Sequence, residues 1–226
     1  MGTLLLRLAA PLQSWGLDKF ERRGTENIPT KSGVIGMLAA ALGRRRVDCD
    51  NMQDLLSLRL GVRVERSGGL LRDFHTAKSS TSAYVTYRYY LSDAVFLVGL
   101  EGGDLFLDEL ARALQSPAFP LFLGRRSCPP EGRIFLKIAQ GKSLLDALLK
   151  EPSILPDNDA DTSKRRIVVE ADLDNKGVYR QRDVPLSFNQ AHRKYGFRRV
   201  HEVRRMIPEH DTIQELDGIK ILGAQY

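Results

Sequence analysis

The sequence predicts an α+β fold built around a ferredoxin-like domain. The first observation is the order of its segments, strand, helix, strand, strand, helix, strand, which is the ferredoxin-like pattern. The second is a stretch rich in Ser, Thr and Tyr over residues 70–92, which predicts a β-hairpin inserted at the second strand pair. The third is an acidic linker over 152–162 that precedes basic, strand-like segments. We expect a ferredoxin-like domain over 1–140, and a linker helix with a smaller basic β-rich appendage over 141–226.

Periodicity and capping signals define the individual elements. A helix should begin with Ser32 as its N-cap and end at Gly43, because apolar residues recur at helical spacing between them. Further helices are predicted over 54–58, 105–114 and 143–150. Apolar runs and alternation predict strands over 3–9, 60–65, 94–100, 133–139, 165–171, 178–184 and 199–206. The two long helices would cover one face of the sheet and leave the other face free for a partner or RNA.

Composition excludes several classes of protein. The 226 residues are 42% hydrophobic, which is enough for a packed core and unlike a disordered chain. The apolar runs are far too short to cross a bilayer, and no secretory signal is recognisable. Cys49 and Cys128 lie too far apart for a metal or redox motif. We therefore expect a cytoplasmic protein with no membrane partner and with free thiols.

Metal and cofactor motifs are also missing from the sequence. Asp157, Asp159 and Asp161 have the spacing of the first calcium ligands of an EF-hand, but Thr162 stands where that loop requires glycine. There is neither a dinucleotide fingerprint nor a Gly-Lys-Ser/Thr phosphate loop. The sequence therefore predicts no metal ion and no cofactor.

Positive charge is concentrated near the C-terminus. The chain carries a net charge of +6, and residues 176–208 alone hold nine basic and two acidic side chains. Tyr179, Phe188, Tyr195 and Phe197 lie among these basic residues. A patch of this kind attracts phosphate backbones, and exposed aromatic rings stack on bases. The alternative is a solvated basic face with aromatic residues that fill the core.

Residues 123–130, Leu-Gly-Arg-Arg-Ser-Cys-Pro-Pro, form the second basic feature, which we call the arginine loop. Gly124 would let the backbone approach a ligand closely, and Arg125 and Arg126 supply forked donors that suit phosphate oxygens. Ser127 and Cys128 complete the candidate site. The alternative is a solvated turn. Lys31, Ser32 and Gly33, at the positive end of the first predicted helix, would assist phosphate binding.

Aromatic and histidine residues allow weaker hypotheses. Trp15 lies beside Gln13, and its position is more typical of an aromatic residue in the core than of one that stacks on a base. A metal-independent ribonuclease needs a base and a cation close together, and His75, Tyr84 and Lys78 are the residues from which such a set would be assembled. Nothing in the sequence brings these three side chains together.

Four segments in order resemble the CasD family, the handle-binding subunit of type I-E CRISPR surveillance (Cascade) complexes. They are residues 11–16 (Pro-Leu-Gln-Ser-Trp-Gly), residues 29–43, residues 73–77 (Asp-Phe-His-Thr-Ala) and the arginine loop. The resemblance covers most of residues 3–138 well and the rest loosely. It implies an RRM-like, ferredoxin-like fold of the repeat-associated RNA-binding superfamily, with residues 70–92 as a hairpin thumb.

The resemblance also implies a function. The family binds the 5′ handle of CRISPR RNA (crRNA) beside a CasC-type backbone subunit and a CasA-type large subunit, so target DNA would be contacted only indirectly. A separate subunit cleaves the precursor, which makes this subunit non-catalytic. The arginine loop would bind handle phosphates, Gln13 and Trp15 would border a base pocket, and a hairpin containing His75 and Arg88 would wedge against the guide. The alternatives are a type I-C-like endoribonuclease and a pure scaffold.

Overall fold

The computed structural model describes residues 1–16, 22–45, 52–78, 82–155, 164–172, 176–187 and 194–207. The rejected calcium motif, Cys49 and Phe188 lie outside these residues. The strands are β1 Gly2–Ala9, β2 Leu12–Gln13, β3 Arg22–Arg23, β4 Arg59–Arg66, β5 Gly69–Lys78, β6 Ala83–Ser92, β7 Val95–Gly102, β8 Phe135–Gln140, β9 Arg165–Glu170, β10 Val178–Ser187 and β11 Lys194–Arg205. The helices are α1 Lys31–Ala41, α2 Gln53–Ser57, α3 Asp104–Gln115 and α4 Leu144–Lys150.

Seven strands form the central sheet, in the order β10-β11-β9-β4-β7-β1-β8, with antiparallel neighbours throughout. The interior strands β7 and β1 are apolar and almost wholly buried, as expected for strands covered on both faces. The register places Leu4 opposite Leu100 and Leu6 opposite Val98. The predicted α+β fold is confirmed as a mixture of helices and strands in which the sheets dominate.

Helices α1 and α3 cover one face of this sheet. In α3 the buried residues Leu107, Leu110 and Leu114 recur at helical spacing, so one side of the helix packs on the sheet and the other side meets solvent. In α1, Val34 and Leu38 are completely buried in the same cluster. This arrangement agrees with the predicted positions of the two long helices.

The opposite face is not free, which corrects the prediction. Helix α4 packs on β1, β4, β7 and β9, and Leu144 and Leu148 join Leu5, Leu97 and other apolar residues in a second buried cluster. Gly61 makes this contact possible, because a Cβ there would lie 2.7 Å from Leu148 Cδ1. The predicted linker helix is therefore a part of the core.

A buried arginine lies beneath the C-terminal end of α4. The Arg63 side chain has no exposed surface and donates hydrogen bonds to the carbonyls of Leu148, Glu151 and Pro152. It also pairs with the buried Glu65 carboxylate. Burial lowers the pKa of Arg63 and raises the pKa of Glu65. The guanidinium satisfies carbonyls that the end of a helix leaves without partners.

The C-terminal strands extend the central sheet. Strand β9 pairs with β4, and β11 and β10 follow it outward. The sheet is continuous across the expected boundary between residues 1–140 and 141–226. The expected appendage is thus a continuation of the same layer.

The predicted hairpin is present as β5 and β6, which pair from Gly69 with Ser92 to Lys78 with Ala83. Strands β2 and β3 also pair with β6 and complete a second, four-stranded sheet. Much of the hairpin is exposed, including Phe74 at 66%. It therefore has little core of its own.

Candidate nucleic-acid interface

A cleft of about 900 Å³ lies between α1, the segment 119–125 and the end of the β10–β11 hairpin. Four arginines line it, together with aromatic and small residues, and no described residue in its lining is acidic. The arginines are Arg23, Arg44, Arg45 and Arg125; the aromatic residues are Trp15, Phe119, Phe122 and Tyr195; the small ones include Gly16, Gly33, Gly36, Ala39 and Ala40. We call this site the arginine cleft.

Glycines of α1 give the arginine cleft a smooth wall. A Cβ at Gly33 would lie 2.7 Å from the Trp15 ring, so this glycine lets α1 pack directly on the indole. A Cβ at Gly36 would meet nothing within 4 Å, because Gly36 faces open space in the cleft. Gly33 therefore has the packing role that its position in a helix suggests.

The arginine loop is held against the segment that follows β1. Gly124 has φ +86°, and a Cβ there would lie 1.7 Å from the Ser14 carbonyl oxygen. The Ser14 amide donates to the Leu123 carbonyl at 3.2 Å, and the Cys128 amide donates to the Arg125 carbonyl at 2.9 Å. Gly124 thus permits a close approach to the protein's own backbone, which corrects the expectation that it approaches a ligand.

Arg125 is oriented by two neighbours. Its guanidinium lies over the Tyr90 ring, 4.7 Å from the centroid, and its Nη2 donates to the Arg23 carbonyl at 2.8 Å. Its Nη1 is buried and has no hydrogen-bond partner among the described residues. The stacked and anchored guanidinium of Arg125 therefore has a fixed position at the wall of the arginine cleft, where a cation suits an anionic ligand.

The rest of the arginine loop points elsewhere. Arg126 and Ser127 are exposed but do not line the arginine cleft. The Ser127 hydroxyl lies 3.9 Å from the Cys128 sulfur, and Cys128 is buried. Burial raises the pKa of the Cys128 thiol, so this side chain is a small core residue. Of the residues predicted in the arginine loop, only Gly124 and Arg125 therefore line the arginine cleft.

The positive end of α1 already has an anionic partner. The N-cap is Thr30, two residues before the predicted cap, and its hydroxyl accepts from the Gly33 amide at 3.3 Å. The Lys31 amide donates to Asp183 Oδ2 at 2.9 Å, and the Lys31 ammonium pairs with Glu170 at 2.9 Å.

Arg198 completes this buried network, because it bonds both carboxylate oxygens of Asp183, at 2.7 and 2.9 Å. Lys31 is thus committed to carboxylates, which corrects its predicted role in phosphate binding. Ser32 does line the arginine cleft, and its hydroxyl lies 3.4 Å from that of Thr30.

Gln13 and Trp15 support the cleft from behind. Both side chains are completely buried, and the indole N–H donates to Gln13 Oε1 at 3.2 Å. Gln13 Nε2 donates to the carbonyls of Ala94, at 2.7 Å, and Leu8, at 3.3 Å. Their polar atoms are used inside the protein, so the structure agrees with the core interpretation of Trp15.

The hairpin separates the three residues of the hypothetical ribonuclease set. His75 pairs with Asp73 on its own strand at 2.8 Å. Because side chains alternate along a strand, Lys78 projects from the face opposite to His75. Tyr84 is opposite Ala77 and therefore only diagonal to His75. Such an arrangement does not bring a base and a cation together.

Arg88 lies midway along the hairpin, beside the segment that Arg125 of the arginine loop contacts. Its register partners are Arg23 on β3 and Asp73 on β5. Its Nε is buried and has no hydrogen-bond partner among the described residues. Arg88 and Arg125 therefore each have one guanidinium nitrogen without a hydrogen-bond partner among the described residues, and both lie beside the Arg23 backbone.

Sequence reasoning missed Arg23, Arg44 and Arg45. Arg44 is held by Asp54 through two hydrogen bonds of 2.6 Å, and this bonding raises the pKa of Arg44 and lowers that of Asp54. The available signal was the run of three arginines immediately after Gly43. A basic run at the end of a helix also suits the helix dipole, so its sequence alone does not indicate a ligand site.

In the part of the chain that the structure describes, no helix is long and apolar enough to span a membrane. Among the same residues, no cluster of three or more His, Cys, Asp or Glu side chains has the geometry to hold a metal ion.

Comparisons with known proteins agree on one family. The family model Cas_Cas5d, described as CRISPR-associated protein (Cas_Cas5), matches residues 3–201. The CRISPR system Cascade subunit CasD of Escherichia coli (strain K12) is 37% identical over 168 residues, which cover 65% of this chain and 75% of that protein.

Solved structures give the same result. A chain described as "Crystal structure of Cas protein" is 39% identical, with a TM-score of 0.73, and the match covers 92% of this chain and 98% of that one. A chain of a "CRISPR RNA-guided surveillance complex" is 33% identical, with a TM-score of 0.75, over 92% and 91% of the two chains. The expected likeness to CasD is confirmed, and the chain belongs to the Cas5 family of CRISPR-associated proteins.

Proposed function

We propose that this chain is a non-catalytic subunit of a type I-E CRISPR surveillance complex, in which it binds and caps the 5′ handle of the crRNA. Its 37% identity to the E. coli Cascade subunit CasD and its likeness to a chain of an RNA-guided surveillance complex support this assignment. The cytoplasmic location expected from the sequence stays a prediction.

The arginine cleft is the observation that carries the proposal. Proteins that bind single-stranded nucleic acid combine a basic groove for the backbone with aromatic rings on which bases stack. The cleft has both, in its four arginines and in Phe119 and Tyr195, without an acidic side chain among its described lining residues. Arg125 would bind a phosphate first, because Tyr90 and the Arg23 carbonyl already orient its guanidinium at the wall of the cleft.

The topology supports a ferredoxin-like, RRM-like core. Strands β1, β4, β7 and β8 follow the chain order strand, helix, strand, strand, helix, strand, and they lie in the spatial order β4-β7-β1-β8. Both crossover helices, α1 and α3, cover one face. We propose that the β5–β6 hairpin is the thumb inserted between β4 and β7.

We assign the thumb to assembly. Its exposed apolar side chains, Leu70 at 69%, Phe74 at 66% and Val85 at 46%, are a poor fit to water and suit a protein neighbour. A CasC-type backbone subunit is the proposed neighbour, with a CasA-type large subunit adjoining the chain elsewhere. In this arrangement target DNA reaches the thumb only indirectly.

The absence of catalysis is likewise a proposal. General acid–base cleavage requires a base within hydrogen-bond reach of the attacking hydroxyl and a donor for the developing charge. His75 is paired with Asp73, and Lys78 lies on the other face of the thumb. Incubation of the purified chain with its repeat RNA in a chelator should leave the RNA intact, whereas a cut abolished by His75→Ala would favour the endoribonuclease alternative.

The test of RNA binding uses the full chain and the 5′ handle RNA of its own repeat, followed by fluorescence anisotropy over a range of salt concentrations. The double variant Arg23→Ala/Arg125→Ala should bind more weakly, and its slope of log affinity against log salt should fall by about 0.7 per lost contact, roughly 1.4 in all. Arg112→Ala/Arg133→Ala, which removes two exposed arginines outside the cleft, is the matched control. An unchanged slope in the cleft variant would remove the arginine cleft from the RNA site.

A further inference from the structure

The outer hairpin of the central sheet, β10 and β11, carries a second basic surface that the arginine cleft does not include. Arg180 and Arg199 are directly opposite each other in the strand register, and both are exposed. Cross-strand neighbours have Cβ atoms about 5 Å apart, and like charges at this spacing destabilise a sheet. Neither arginine forms an ion pair with a carboxylate of the described residues. A cost of this kind, which no carboxylate of the described residues offsets, indicates an anionic ligand.

This surface faces away from the arginine cleft. Arg198 points toward α1, since it bonds Asp183, which in turn accepts from the Lys31 amide. Successive side chains alternate, so Arg199 projects from the opposite face of the sheet. Helix α4 packs on that face over β1, β4, β7 and β9, and the arginine pair remains exposed beyond it. The pair is therefore open to a partner while the arginine cleft is occupied.

The shape of the surface selects the kind of partner. Arg205 lies six residues beyond Arg199 on the same face and is exposed, which gives a basic stripe of about 20 Å at the usual rise of a strand. Phe197, two residues before Arg199, is 62% exposed. The arginine cleft does not include Arg180, Arg199 or Arg205, so the stripe is a separate surface.

We infer that the face of the β10–β11 hairpin that carries Arg180, Arg199 and Arg205 binds the phosphate backbone of a nucleic-acid duplex. In a duplex the bases are paired inside and the phosphates lie outside, one per 1.7 Å or so of helix axis. An exposed basic stripe of about 20 Å along β11, with Arg180 facing it from β10, matches a row of outward-facing phosphates. This inference concerns a contact separate from the handle-binding site and does not depend on it.

Arg180→Ala/Arg199→Ala in the full chain tests the inference, with a blunt-ended 20-base-pair DNA duplex and the handle RNA as separate probes. The wild-type chain should bind the duplex with a salt-dependent affinity. The double variant should lower the duplex slope of log affinity against log salt by about 1.8, or 0.9 per lost phosphate contact, and leave the RNA slope unchanged. Arg180→Lys/Arg199→Lys, which keeps the charge, should retain most of the duplex slope.

Stability provides a second readout. Because the alanine variant removes a like-charge pair, its melting temperature should equal or exceed that of the wild type. The matched control is again Arg112→Ala/Arg133→Ala, which lies toward the β8 edge of the sheet, the edge opposite to β10. No duplex binding by the wild type, an unchanged duplex slope in the alanine variant, or an equal loss for RNA and duplex would each overturn the inference. If the alanine variant still binds the duplex but loses an acidic partner protein from the assembled complex, the inference is overturned and the surface is a protein-docking site.

Discussion

Gly124 is the residue whose substitution most directly tests how the arginine cleft is built. The backbone there has φ +86°, and an alanine Cβ would lie 1.7 Å from the Ser14 carbonyl oxygen. No side-chain rotation relieves that contact, since both atoms belong to the backbone or are fixed by it. The arginine loop must therefore move away from Ser14 in Gly124→Ala.

The magnitude follows from what the movement disrupts. A non-glycine residue in the left-handed region costs about 1–2 kcal/mol. The hydrogen bond from the Ser14 amide to the Leu123 carbonyl contributes about 1 kcal/mol, and the stacking of Arg125 on Tyr90 contributes a comparable amount. We expect the free energy of unfolding to fall by about 3 kcal/mol. For a chain of this size that lowers the melting temperature by roughly 6–12 °C.

The assay compares two glycine-to-alanine variants that line the same cleft. In Gly36→Ala the added methyl group projects from α1 into open space. Alanine within a helix is more stable than glycine by about 1 kcal/mol, so the melting temperature of this variant should rise by roughly 2–4 °C. Handle RNA should bind Gly124→Ala more weakly, because Arg125 loses its orientation. If Gly124→Ala melts and binds RNA like the wild type, the packing of the arginine loop on Ser14 does not position Arg125.

Three further predictions concern buried or paired groups. Cys128 should resist iodoacetamide in the folded chain, since it is buried and burial raises its pKa; mass spectrometry of the modified site checks this, and rapid modification would contradict it. The hydrogen bonds from Arg44 lower the pKa of Asp54. The stabilisation from this pair is therefore fully present above the ordinary pKa of Asp, and it is lost as the pH falls through the lowered pKa. Asp54→Asn should flatten that acid-side loss in thermal melts, and an identical pH profile would contradict the assignment. Arg63→Met should cost about 3–5 kcal/mol, because the buried Glu65 carboxylate is left with its longer pairing with Arg165 and the carbonyls beneath α4 lose their donor. Arg63→Met/Glu65→Met should recover part of that cost in urea denaturation, and equal losses for the single and double variants would show that the pair is not coupled.

The parts of the fold that could be predicted are those specified by local pattern. Strands β1 and β7 are continuous apolar runs, and α3 repeats its buried leucines at helical spacing, so their predicted bounds lie within two residues of the observed ones. Helix α4 shows the limit of this reasoning. Its leucines predict a helix. The face of the sheet that the helix covers, however, depends on Gly61 and Gly99, which leave room for Leu148 and Leu144. These contacts join residues about 45–90 positions apart in the chain.

The candidate site was harder to predict because its key contacts join distant segments. Gly124 packs against the Ser14 carbonyl, 110 residues earlier in the chain. In the sequence alone, a glycine at this position is equally consistent with close approach to a ligand. Lys31 looked available because its partners, Glu170 and Asp183, lie 139 and 152 residues away. The sequence predicted Arg125 as a candidate site residue of the arginine loop, but its stacking on Tyr90 has no sequence signature.

The fate of Lys31 bears on how the arginine cleft would hold RNA. A free helix N-terminus attracts phosphate through its amides and dipole. In this chain the carboxylate of Asp183 already accepts from the Lys31 amide, and Arg198 fixes that carboxylate on its other side. A phosphate at this point would meet a like charge. In the proposed complex, an anionic backbone in the cleft would therefore pass toward the guanidinium groups of Arg125 and Arg23. The same network connects β10 and β11 to α1, so the C-terminal strands help to set the position of the cleft wall.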